Sequence, residues 1–140
     1  IWCCYMSRIA DKVNEISRFL EELKGIVPPS FGEYKSNLEK KAACERYVEK
    51  IVEAATDLAF LAIKSKKLKV PEDDMDAFNV LSVNGIIGND LADRLRNAKG
   101  MRNIISHQYG NIDDEIVFKS ILTEMNKDMI EFIARIRSII

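Results

Sequence analysis

At 140 residues with 47% hydrophobic content, the chain is sized for one domain with a buried core. Its 21 basic and 22 acidic residues leave a formal net charge of −1, which excludes a global field drawing it to nucleic acid and leaves any such binding to a local patch. The 3 cysteines give neither a disulfide framework nor metal-ligand spacing, no apolar run approaches the ~18 residues of a membrane span, and a reducing, cytoplasmic setting is expected.

The chain opens IWCCY, and Met6 followed by SRIADKV reads as a more natural start. Residues 1–5 are therefore set aside as an N-terminal remnant or disordered lead-in, and residues 6–140 are taken as a single helical domain. Ile9, Val13, Ile16, Leu20 and Leu23 recur at alternating steps of four and three, one stripe of an amphipathic helix that Gly25, Pro28 and Pro29 stop. The segment IVPPSFGEY reads as a connector, and Ser36 with Glu39 has the spacing of a capping box. A long helix is expected from Leu38 to near Leu68, ~45 Å in length, with Val48, Ile51, Val52, Ala55, Leu58, Ala59 and Ala62 on its apolar face. Pro71 breaks the pattern, a shorter helix runs through DAFNVLSV to Gly85 and Gly88, and Asn89 is placed to cap the next. That helix passes Leu91, Leu95, Ala98 and Gly100 and ends at Gly110. The last begins near Asp113 and carries Val117, Ile121, Met125, Phe132, Ile136 and Ile140, with Leu122, Met129 and Ile133 beside them. No sustained period-two alternation appears. The expectation is an all-α, up-down bundle of four or five helices.

The chain's single histidine lies in RNIISHQYG, residues 102–110. On a helical wheel with Arg102 at zero, Met101, Ile104 and Ile105 fall at about 260°, 200° and 300°, an apolar arc. Asn103, Ser106, His107 and Tyr109 fall at about 100°, 40°, 140° and −20°, so they share the opposite arc with Arg102. Upstream, Leu91, Leu95 and Ala98 project towards Arg102, so the buried face is expected to rotate near Gly100 through a kink or break. Two readings of the polar arc stand side by side: a solvated helix face, or a constellation of a cation and an imidazole.

The spacing Arg, four residues, His, one residue, Tyr resembles the signature of HepT-like proteins in the HEPN superfamily. The surrounding order resembles them too, from the long second helix through VNGIIGNDLADRL, KGMRN and GNIDDEIVF to a final amphipathic helix. What the resemblance implies is a dimeric helical bundle whose motif helices line a shared cleft, acting as a metal-independent endoribonuclease toxin of a type VII toxin–antitoxin pair. Arg102 and His107 are then the catalytic residues, and Asn103 a supporting or phosphate-binding one. Tyr109 becomes the acceptor of AMP groups from a separate MntA-like nucleotidyltransferase antitoxin, a modification that silences the nuclease.

Elementary chemistry agrees with part of this. RNA carries its own nucleophile, the 2′-hydroxyl, so cleavage needs a proton acceptor, a proton donor and positive charge on the phosphate, with no cofactor. An imidazole with an ordinary pKa of about 6.5 serves as either proton partner near neutrality, and a guanidinium clamps non-bridging oxygens. One histidine does not conveniently fill both proton roles in one turnover, whereas a two-fold homodimer supplies two. Ser106 reads as a bystander, since no second base is left to activate it. Lys64, Lys66, Lys67 and Lys69 form a basic cluster that either meets phosphates or complements a helix end. Glu53 and Asp57, in the apolar middle of the long helix, look for basic partners that the sequence alone does not assign. Two alternatives remain: a non-catalytic helical partner and substrate of a nucleotidyltransferase, and a plain protein-interaction module.

Overall fold

The computed structural model describes residues 2–107 and 113–140, the side chains from residue 5. Among the described residues every regular element is helical: α1 (Trp2–Ile26), α2 (Phe31–Ser36), α3 (Leu38–Ser65), α4 (Asp74–Val83), α5 (Asn89–His107), α6 (Asp114–Ser120) and α7 (Asn126–Arg137). The all-α bundle is the fold expected from the periodicity. Helices α1 and α3 form the principal pair, α5 packs against α3, α4 and α7, and α2 lies on α3 and α6. None of the described helices is long and apolar enough to cross a membrane.

The α1 stripe is as read: Ile9, Val13, Ile16, Leu20 and Leu23 are all buried. The helix begins at Trp2, and Tyr5 packs against the core. Helix α3 buries Cys44, Val48, Ile51, Val52, Ala55, Leu58, Ala59 and Ala62. Burying a side chain of the Val or Leu class contributes about 1.5–3 kcal/mol, and α1 and α3 supply a large share of such residues to the core.

The caps differ from the expected ones. The connector holds the short helix α2, whose start is capped by Ser30 accepting from the Glu33 amide at 3.2 Å. Ser36 is the last residue of α2, and Asn37 caps α3 by accepting from the Lys40 amide at 3.1 Å. The S-x-x-E signal was real but sat six residues earlier, at Ser30 and Glu33, where the prolines hid it. Similarly Asn89 is already inside α5, and its side-chain oxygen accepts from the Ser82 hydroxyl. Helix α5 runs through Gly100 without a break.

The closing helix is interrupted by one π-helical turn, Ile121–Met125, between α6 and α7. The sequence carries the reason. Val117, Ile121, Met125 and Met129, all buried, are four residues apart, and on a 3.6-residue helix each such step drifts about 40°. A wider turn absorbs the drift and keeps the stripe on the core. The Thr123 hydroxyl donates to the Lys119 carbonyl at 2.8 Å, bonding a backbone group in the last turn of α6, where the helix enters the irregular stretch. Phe132, Ile133 and Ile136 then complete the wall, with Phe78 edge-on to Phe132 at 6.0 Å. Leu122 and Ile140, expected on this stripe, are exposed instead.

Candidate functional site

The inward face of α5 does not rotate near Gly100. Leu91, Leu95, Lys99, Arg102 and Ile105 form one continuous line at steps of four and three, in which Leu91, Leu95, Lys99 and Ile105 are buried and the Arg102 side chain is only 19% exposed. Ile104, expected to face the core, is 44% exposed. The polar arc therefore points partly inward, and the physical reason lies on α3, which offers acids at that seam. Two residues of the motif helix, Arg102 and Ser106, are one turn apart, and so are Glu53 and Glu49 on α3.

In this antiparallel register Arg102 Nη2 donates to Glu53, forming an ion pair, and the Ser106 hydroxyl donates to Glu49 Oε2 at 3.0 Å. Arg102 Nη1 donates to Asn103 Oδ1 at 3.3 Å, while its Nε is buried without a hydrogen-bond acceptor. One turn before Arg102, the nearly buried Lys99 pairs with Asp74 of α4 at 3.1 Å. Arg102, Glu53, Lys99 and Asp74 line a polar cleft of about 780 Å³ to which α1 contributes Arg8 and Lys12 and α3 contributes Lys64. Of the Lys cluster read from the sequence, only Lys64 reaches this cleft.

Further along α3 the acidic row continues to Glu45. Burial raises its carboxyl above the usual range, and Asp114 and Glu49 add to the effect against the opposing pull of Lys41. Lys41 sits 4.0 Å from Glu45 and 3.3 Å from Asp114, the first residue of α6. Beneath them the Tyr34 hydroxyl is buried with no hydrogen-bond partner, and burial pushes it well above its ordinary pKa.

His107 is exposed and is the last residue of α5. It follows Arg102 by five residues, about 7.5 Å along the axis and about 140° around it, and does not line the polar cleft. One chain thus presents the arginine within the α3/α5 seam and the imidazole beyond it. Tyr109 and Gly110 lie outside the described residues. On the side of α5 facing α6 and α7 a second groove, of about 840 Å³, is lined largely by apolar side chains, among them Met101, Ile104, Ile116 and Met125. Ile116 is 61% exposed there. Among the described residues no three acidic, histidine or cysteine side chains converge as a metal site.

A family model for HepT-like ribonucleases matches residues 16–136. This chain belongs to the HepT-like ribonuclease family. It is 29% identical over 113 residues, 81% of this chain and 77% of the relative, to the tRNA nuclease HepT of Aphanizomenon flos-aquae. It is 25% identical over 109 residues, 78% of this chain and 81% of the relative, to the mRNA nuclease HepT of Shewanella oneidensis. Among solved structures, the tri-AMPylated Shewanella oneidensis HEPN toxin in complex with MNT antitoxin superposes with a TM-score of 0.87 over 93% of this chain and 96% of that one, at 24% identity. That likeness is one of fold. With family membership the chain is a ribonuclease, and of the sequence pattern Arg102 and His107 fall on α5, Arg102 at the seam and His107 at its end.

Proposed function

We propose that this ribonuclease is the toxin of a toxin–antitoxin pair and cleaves RNA endonucleolytically, without a metal, in a cleft completed by a second copy of the chain. The reaction is transesterification. His107 of one protomer takes the proton of the 2′-hydroxyl, the O2′–P bond forms, and the P–O5′ bond breaks. The partner's imidazole protonates the departing O5′, leaving a 2′,3′-cyclic phosphate and a free 5′-hydroxyl. Arg102 stabilises the charge that accumulates on the non-bridging oxygens, and Asn103, already bonded to it, supports that role.

The observation that carries this reading is the position of Arg102 and His107 on α5, with the guanidinium inward and the imidazole at the exposed helix end. Their separation around the helix supports a site shared between two chains. So does the exposed apolar surface of Ile104, three residues from His107, and Ile116, since patches of this kind commonly cover partner interfaces. Tyr109 is the proposed acceptor of AMP from an MntA-like nucleotidyltransferase; bulk and negative charge two residues from the imidazole would exclude an RNA backbone. The AMP-modified, antitoxin-bound state of the Shewanella toxin supports this assignment.

The test is digestion of tRNA and mRNA by the purified protein with and without chelator. Cleavage insensitive to chelator, with cyclic-phosphate termini, is expected to fall by a factor of about 10²–10⁴ in His107→Ala at unchanged helicity. Cleavage by His107→Ala at the wild-type rate would end the proposal. Incubating that variant with the nucleotidyltransferase and ATP should add AMP to Tyr109, read by mass spectrometry.

A further inference from the structure

We infer that Glu53 is a positioning residue for Arg102, holding the guanidinium for the phosphate without itself touching RNA. The inference rests on the nuclease reading above. Three observations carry it. First, Glu53 lies between the buried residues Val52 and Ala54 of α3, yet its carboxylate pairs directly with Arg102 Nη2 across the seam. Second, Arg102 lines a cleft of mixed charge in which Lys12 is paired with Glu15 and Asp57 and Lys99 with Asp74, and Glu53 is the carboxylate that pairs with Arg102. Third, Arg102 Nε is buried without an acceptor, an arrangement that costs stability and is uncommon unless something else fixes the side chain.

The hydrogen inventory fits a held rather than a consumed arginine. A guanidinium has five N–H groups. Glu53 takes one on Nη2 and Asn103 one on Nη1, so each terminal nitrogen keeps a second hydrogen, a pair that two phosphate oxygens accept together. Glu53 thus fixes the plane of the fork and leaves its binding capacity open. The neighbouring contact, Ser106 to Glu49 at 3.0 Å, fixes the next turn of the same helix.

The inference separates from simple electrostatics by sign. Glu53 is an anion beside a polyanion's path, so if it only repelled RNA, its removal would lower KM and leave kcat unchanged. A positioning role predicts the reverse emphasis: kcat falls by about 10–100-fold in Glu53→Ala while KM holds or drops. Glu53→Asp recovers part of the loss, and Glu53→Gln, which keeps an acceptor without the charge, falls between. In an Arg102→Ala background, Glu53→Ala should add no further loss, measured in single turnover with thermal unfolding as the control for folding. Wild-type kcat in Glu53→Ala, or an additive loss in the double variant, overturns the inference while leaving the nuclease reading intact. Wild-type cleavage by His107→Ala and Arg102→Ala would instead overturn the reading itself.

Discussion

Helix α3 has two long sides, and they do opposite things. Towards the core it presents Val48, Ile51, Val52, Ala55 and Leu58, all buried, and that side stabilises the bundle by removing apolar surface from water. Towards α5 and α6 it presents the acidic row Glu45, Glu49 and Glu53, which holds Lys41, Ser106 and Arg102. Partly buried ion pairs add little net stability, because desolvation offsets most of the attraction. The difference teaches that one helix separates the two tasks by face: the apolar side keeps the chain folded, and the acidic side keeps the motif helix aimed.

That division is breakable at defined points. Leu58→Ala, on the apolar side, should lower unfolding free energy by about 2–5 kcal/mol in a chemical-denaturation series, with activity per folded molecule retained. Replacing Glu53 and Arg102 together by Leu and Met should shift stability by no more than about 1 kcal/mol in the unfavourable direction and could raise it, yet abolish RNA cleavage. A double variant as destabilised as Leu58→Ala would show that the acidic side is structural after all. The smallest effect is at Glu45, whose carboxyl is raised by burial, then by Asp114 and Glu49. A carboxyl raised in the folded state binds its proton more readily there than when unfolded, so its contribution worsens as pH rises through the raised value. Glu45→Gln should therefore gain in Tm over the parent at neutral pH, with the gain shrinking as pH falls through the raised value and gone once pH is below the ordinary carboxylate range. A gain that grew on acidification would contradict the assigned direction.

The sequence made much of this legible wherever one physical rule acted alone. The α1 stripe and the apolar face of α3 followed from period alone, because nothing polar competes on those faces. The rotation expected at Gly100 failed for the opposite reason. A wheel sorts residues by polarity and assumes that charged side chains leave the core side, but Glu53 and Asp74 make the inner line of α5 habitable for Arg102 and Lys99. A partner of that kind is 49 positions away from Arg102 in the chain, and the only local hint was the matching four-residue spacing of Glu49 and Glu53 with Ser106 and Arg102. Cap positions slipped for a third reason: several side chains near the prolines were chemically competent, and backbone geometry chose among them. The motif itself was legible through Arg102, Asn103 and His107 by family resemblance, not by periodicity.

The π-helical turn at Ile121–Met125 has an evolutionary corollary. A wide turn of this type holds one residue more than a regular helix needs to present both of its halves to the same neighbour. Excising the exposed Thr123 would leave Val117, Ile121 and the shortened chain's later apolar positions at regular four-and-three steps, so the closing helix should survive the loss and α7 should keep its orientation, as circular dichroism and retained RNA cleavage would report. Most bundle helices are scrambled by a one-residue deletion; here the molecule carries a spare link, and length variation among relatives should gather at this point.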